Sequence, residues 1–159
     1  ANAVMAKTGH SLIKAKIKEL NAELAGEMSG HMFFAHRYYG FDDAVHAAAR
    51  TVEIVSNSDK QVSEFLADLP NAINTPEIRL DCPEEIKFKI VEKAQESFPE
   101  YDISTIDGVR INFDQGWGLV RASNTQSALV MRFEAETEEK LAEYQQIVET
   151  KIKDIQAGL

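Results

Sequence analysis

The chain has 159 residues and one cysteine, Cys82, so an internal disulfide is excluded and a reducing, cytoplasmic setting is the simplest expectation. It lacks any apolar run near the roughly 20 residues that cross a bilayer. Residues 1–7 lack the basic-then-apolar pattern of a secretory leader. It also lacks a basic stripe: 17 Lys and Arg stand against 26 Asp and Glu, for a formal charge of −9, which argues against a nucleic-acid backbone as partner. A small anion is not excluded by net charge, because a few placed cations and backbone N–H groups bind one phosphate. No cluster of His, Cys, Asp or Glu shows metal-ligand spacing, so no metal is expected within the chain. Lys7 and Gly9 do not have P-loop spacing, and there is no internal repeat or low-complexity tract.

Hydrophobic residues make up 44% and charged residues 27%, an ordinary balance for a packed core. In the first part, Ala3 to Ala6 reads as a short strand, and Ser11 as the cap of a helix carrying Ile13, Ile17 and Leu20 inward. Extended segments follow at Leu24 to Gly26 and Met32 to Phe34. Asp42 or Asp43 caps a second helix with an apolar stripe of Val45, Ala48, Ala49, Val52 and Val55. Ser58 with Gln61 forms a capping-box pattern for a short helix ending at Pro70, and residues 70–75 look turn-like. A domain boundary is expected between 56 and 75.

The second part has a plainer plan. Ile78, Leu80 and Cys82 alternate as in a half-buried strand. Pro83 opens a helix with Ile86, Ile90, Val91 and Ala94 inward. Asp107-Gly108 marks a hairpin between strands at 103–106 and 109–113. Strands at 117–120 and 128–135 follow, and Thr137 caps a last helix with Leu141, Tyr144, Val148, Ile152 and Ile155 inward. The expected fold is α+β: a partial α/β domain, then an antiparallel four- to five-stranded sheet with two helices on one face.

Two segments carry chemistry. Gly26-Glu27-Met28-Ser29-Gly30-His31 places a carboxylate, a hydroxyl and an imidazole between glycines. Extended, Glu27, Ser29 and His31 would share one face and suit sugar hydroxyls; alternatively this is a tight turn with a solvated histidine, and spacing alone leaves the two level. Arg121-Ala122-Ser123-Asn124-Thr125 offers a guanidinium fork, two hydroxyls, an amide and backbone N–H groups, an inventory for a phosphate dianion. A polar hairpin loop would use the same residues for turn hydrogen bonds; Arg121, at the end of an otherwise apolar strand, favours the phosphate. Lys7-Thr8-Gly9-His10-Ser11 runs into a helix amino terminus that suits an anion, but ordinary capping by Ser11 is the preferred account. His36, Arg37, Tyr38 and Tyr39 suit a pocket wall or plain packing equally, and Cys82 reads as a core thiol.

Taken together, five segments in order resemble the α-D-phosphohexomutase superfamily: Lys7 to Ser11, Gly26 to His31, Gly40-Phe41-Asp42-Asp43, Asp107-Gly108-Val109-Arg110, and Gly116 to Thr125. The resemblance implies a four-domain enzyme, of which residues 1–56 would be the end of domain three, 57–74 a linker with a short helix, and 75–159 domain four, with its TBP-like sheet. It implies that His10, Glu27, Ser29 and His31 bind the sugar, with His31 a proton-transfer partner, and that Arg121, Ser123, Asn124 and Thr125 hold the non-reacting phosphate. Met28 resembles the phosphomannomutase/phosphoglucomutase branch. Ser127 departs from a proline often found there, which would leave the loop less rigid.

The family's phosphoserine stretch and its Asp-Gly-Asp-Gly-Asp magnesium stretch do not occur in this sequence. The resemblance therefore implies a carboxy-terminal fragment, inactive alone, of an isomerase that interconverts hexose 1-phosphate and hexose 6-phosphate. Its magnesium would lie outside this chain, and its partners would be a phosphosugar and the missing amino-terminal domains, with neither nucleic acid nor membrane. The alternative is a stand-alone, non-catalytic phosphosugar-binding module.

Overall fold

A computed structural model describes residues 2–159, which divide into two compact units, one ending at Leu69 and the other spanning Pro70–Leu159. In the first unit, helix α1 (His10–Leu20) turns Ile13 and Ile17 onto Phe33, which is fully buried in strand β2 (Met32–Phe34). Leu20, expected inward, is exposed, because Asn21 ends the helix in the left-handed region one residue later. Strand β1 (Leu24–Gly26) pairs antiparallel with β2, Gly26 opposite Met32, so the chain between them must reverse direction.

Two expectations fail at the start of the chain. Residues 3–6 form no strand; Val4 and Met5 are exposed, and no described strand pairs with them. Ser11 does not cap α1. Gly9 occupies the cap position without a side-chain bond, and its N–H is taken instead by the Glu27 carboxylate at 2.9 Å.

Helix α2 (Ala44–Ser56) is capped by Asp43, whose side chain accepts from the His46 N–H at 2.9 Å and from the Tyr38 hydroxyl at 2.6 Å. Those two bonds, the tyrosine first, hold the Asp43 carboxyl below the usual aspartate range. The anticipated apolar stripe is not buried: Val45 and Val52 are 82% and 67% exposed, while His46 and Arg50 face Phe34. Nothing among the described residues covers that stripe, so burial follows the ring contacts rather than hydropathy. The short helix at Val62–Leu66 is a 3-10 turn with its capping box on Gln61 and Glu64, not on Ser58. Gln61 makes both reciprocal bonds of that motif.

The second unit is an antiparallel sheet with helices α3 (Glu84–Gln95) and α4 (Glu138–Ala157) on one face. Its strands are β3 (Ile73–Asn74), β4 (Ile78–Asp81), β5 (Asp102–Ser104), β6 (Val109–Phe113), β7 (Gly116–Ala122) and β8 (Ala128–Ala135). Both β3 and β4 pair with β8, and the order continues β8-β7-β6-β5, so the sheet is five strands wide. The expected turn at 70–75 therefore contains a strand: Ile73 sits opposite Ala135.

Period-two alternation sends Val109, Ile111, Val120, Met131 and Phe133 to the helices, where they meet Ile90, Ala94, Val148 and Ile152. Complete burial of a side chain such as Phe133 contributes about 2–3 kcal/mol. The same alternation sends Arg79, Arg110, Arg121 and Arg132 to the opposite, helix-free face. Cys82, just beyond β4, is buried and unpaired, and burial pushes its thiol above the ordinary range. No described helix is long and apolar enough to cross a membrane.

Candidate functional site

The segment from Glu27 to His31 is a tight turn and not an extended strip. The pairing of β1 with β2 forces it: the Glu27 N–H donates to the His31 carbonyl and the Gly30 N–H to the Glu27 carbonyl, both at 2.9 Å. Gly30 has φ +95°, a region that favours glycine. The turn still gathers the three side chains. Ser29 Oγ lies 2.8 Å from His31 Nδ1, and Glu27 Oε2 lies 3.1 Å from the same nitrogen. Of the two arrangements left level by spacing, the turn is the one formed, and it gathers the side chains without strand alternation.

Helix α1 adds His10 to this group. Its Nε2 lies 3.8 Å from Glu27 Oε2, and its ring meets the His31 ring edge-on at 4.5 Å between centroids. Asp42 Oδ1 lies 3.3 Å from the other nitrogen of His10. Asp42 is a residue that sequence reasoning left as a rival cap for α2. The fold divides the labour of the two adjacent aspartates: Asp43 caps the helix and Asp42 faces His10. The Glu27 side chain is 9% exposed, while both imidazoles are 44% exposed and open to solvent. A buried acceptor beside two accessible rings suits recognition of hydroxyls, which both donate and accept.

The second group lies in the other unit. Arg121 stands near the end of β7, as expected, opposite Val130, and projects from the helix-free face. Arg110 stacks over Trp117 at 4.8 Å, Arg132 donates to Asn74 at 3.1 Å, and Arg79 is held by Glu77 at 2.8 Å and by Gln126. Of these four side chains, Arg121 alone has no hydrogen bond, ion pair or ring contact among the described residues. Ser123 points inward. It is 7% exposed, and its Oγ accepts from the N–H groups of Thr125 at 3.3 Å and Gln126 at 3.1 Å. Asn124 and Thr125 are exposed at the tip. The loop thus presents Arg121, Asn124 and Thr125, with Ser123 shaping it from within.

Lys87 is the residue that sequence reasoning missed. It is 1% exposed, and its ammonium donates to the carbonyls of Ser123 at 2.6 Å and Gln126 at 3.1 Å. The Glu84 carboxylate lies 2.7 Å from the same nitrogen and also accepts from Ser127 Oγ at 3.3 Å. Its bond to Lys87, above all, holds the Glu84 carboxyl below the usual glutamate range. The rigidity that a proline at 127 would supply comes here from a buried ammonium and a carboxylate. A signal was present: Lys87, Val91, Ala94 and Phe98 follow helical spacing and are all buried, but residue type argued against reading a lysine as inward.

Comparisons with known proteins agree with this architecture. Residues 1–73 match the model for "Phosphoglucomutase/phosphomannomutase, alpha/beta/alpha domain III", and residues 77–151 that for "Phosphoglucomutase/phosphomannomutase, C-terminal domain". A phosphomannomutase/phosphoglucomutase of Pseudomonas aeruginosa is 48% identical over 98% of this chain and 34% of its own length. A phosphoglucomutase of Neisseria gonorrhoeae is 49% identical over 86% of this chain and 30% of its own. A solved phosphoglucomutase/phosphomannomutase family protein of Burkholderia thailandensis superposes with a TM-score of 0.83 at 42% identity, covering 96% of this chain and 32% of that one. The chain spans about a third of the length of the curated relatives it matches. With both segment matches in sequence order and the same fold in a solved relative, the chain belongs to the phosphoglucomutase/phosphomannomutase family, of which it carries a domain III segment and the C-terminal domain.

Proposed function

We propose that this chain is the sugar- and phosphate-recognising part of a phosphomannomutase/phosphoglucomutase, an isomerase interconverting hexose 1-phosphate and hexose 6-phosphate through a phosphoserine and a bisphosphorylated sugar. The observation that carries the reading is Arg121. It is an unpartnered guanidinium on the helix-free face, at the entrance to a turn braced by Lys87. A guanidinium fork with exposed Asn124 and Thr125 beside it fits a phosphate dianion; Ser123 contributes by holding the turn. In the first unit, Glu27 accepts from sugar hydroxyls, with Ser29 and His10 as further partners, and His31 exchanges a proton with a reacting hydroxyl. A bisphosphorylated intermediate that turns around between half-reactions needs recognition groups that serve both orientations, and hydroxyl and phosphate contacts of this kind do so.

The chain by itself is inactive in this reading, since phosphoryl transfer needs a positioned acceptor and charge neutralisation. Magnesium supplies that neutralisation when bound, and its ligands would be residues outside this sequence. The partners are a phosphosugar and the other domains of the same enzyme, in the cytoplasm. Isothermal titration of the chain with glucose 1-phosphate tests the phosphate contact. Arg121→Ala is expected to weaken binding about tenfold or more, since a hydrogen bond to a charged group contributes about 1.5–3 kcal/mol. Lys89→Ala, on the exposed side of α3, should leave binding unchanged. Binding that ignores Arg121→Ala sinks the assignment.

A further inference from the structure

His10, Glu27 and His31 sit closer together than hydroxyl recognition requires. One ligand-type atom from each lies within 4.8 Å of the others. Zinc bonds to histidine nitrogen and carboxylate oxygen are about 2.1 Å long, which sets tetrahedral ligand atoms about 3.4 Å apart. The separations of Glu27 Oε2 from His31 Nδ1, 3.1 Å, and from His10 Nε2, 3.8 Å, bracket that value. The third pair, His10 with His31, lies within 4.8 Å, so closing it by up to about 1.4 Å brings the three groups to a common ion.

The surrounding groups favour an ion as well. Asp42 Oδ1 lies 3.3 Å from His10 Nδ1, the ring nitrogen other than the one 3.8 Å from Glu27 Oε2. A carboxylate behind a metal-bound histidine is the usual way a protein fixes such a ring. The other oxygen of Glu27 is held by the Gly9 N–H at 2.9 Å, while Oε2 and His31 Nδ1 both face the Ser29 hydroxyl, at 3.5 and 2.8 Å, which an ion would displace. Both imidazoles are 44% exposed, so a fourth position remains open to water.

We propose that His10 Nε2, Glu27 Oε2 and His31 Nδ1 form a three-ligand site for a borderline divalent transition metal, zinc being the type ion. Two imidazoles and one carboxylate suit zinc, cobalt or nickel, and not magnesium, which takes oxygen ligands and keeps its waters. The ligands lie on separate elements, α1 and the β1–β2 turn, so no linear spacing marks them; this proposal departs from the sequence-based expectation of no metal in this chain. This site goes beyond the sugar-binding reading and does not rest on it. Where both hold, the ion and the sugar compete for Glu27 and His31.

The test uses this chain alone, with zinc chloride in isothermal titration and cobalt chloride followed by visible absorption. One saturable site is expected, with the intense d–d bands of a four- or five-coordinate cobalt, bleached by zinc. His10→Ala and His31→Ala, each with an unchanged circular dichroism spectrum, should abolish the bands. Asp42→Asn should lower affinity about 10- to 100-fold, the usual effect of losing a group behind a ligand. His36→Ala removes a separate histidine, 3.7 Å from Glu23, and should change nothing. No saturable zinc binding, or binding that survives His10→Ala and His31→Ala, overturns the proposal.

Discussion

Gly108→Ala is expected to destabilise the second unit by about 3 kcal/mol or more and to weaken phosphosugar binding with it. Gly108 has φ +84° at the hairpin between β5 and β6. A side chain there costs about 1–2 kcal/mol from backbone geometry alone. Space is the larger problem. Val109 pairs with Val120, so Gly108 lies against the next residue of β7, Arg121. A Cβ on Gly108 would fall 2.7 Å from Arg121 Cβ and 2.8 Å from its Cα, and would strike the Val120 carbonyl oxygen. Backbone must then move, at a cost of about 1–3 kcal/mol for overpacking. The movement displaces the arginine assigned to phosphate. The Gly108 carbonyl also accepts from Gln95 on α3 at 3.0 Å, so the shift reaches the helix. Urea unfolding followed at Trp117 measures the first effect and titration with glucose 1-phosphate the second. Gly158→Ala is the control: its added Cβ meets nothing nearer than 3.6 Å, and a change beyond about 0.5 kcal/mol there would undercut the steric account.

Lys87→Met should cost about 2–4 kcal/mol, with the loss concentrated in the 123–127 turn. Methionine fills nearly the same volume, so the change isolates the ammonium. Without it, the Ser123 and Gln126 carbonyls lose a charged donor inside the protein, and unpaired buried groups cost about 1–3 kcal/mol each. Amide exchange at Thr125 and Gln126, whose N–H groups lean on Ser123, should quicken with the loss of stability. The pH dependence changes too. Lys87 lowers the folded-state pKa of Glu84, so that contribution is present above the ordinary glutamate pKa and is lost as pH falls through the lowered one. In Lys87→Met this acid limb should shrink to what the Ser127 hydroxyl alone holds. Lys87→Arg keeps the charge with a wider head and should recover part of the exchange protection. A methionine variant as stable as the native chain, with unchanged exchange, would show that the turn holds itself.

The sheet was legible in the sequence because each of its signals is local: alternation in β6 and β8, the Asp107-Gly108 turn, and the Thr137 cap. The first unit was less so. Val45, Ala48 and Val52 repeat at helical spacing, yet they are exposed, because periodicity says which residues share a face and not whether anything covers it. Residues 3–6 have strand-like composition, but a strand exists only where another supplies its hydrogen bonds. At the candidate site, the residue types were visible and the geometry was not. Glu27, Ser29 and His31 meet through a turn rather than through alternation. Ser123 is spent on its own loop. The contacts of His10 with Glu27 and of Lys87 with Ser123 join positions far apart in the chain, which no local pattern encodes.

Cys82 offers a view of the loop's motion. Its N–H donates to the Ser127 carbonyl at 3.0 Å, which ties the segment just beyond β4, with the only thiol, to the end of the turn that Lys87 braces. Burial hides that sulfur and keeps it protonated, so a thiol reagent finds nothing to attack while this corner stays closed. Each labelling event in the folded chain therefore records one opening of that corner, and the molecule carries its own clock for how often the turn lets go.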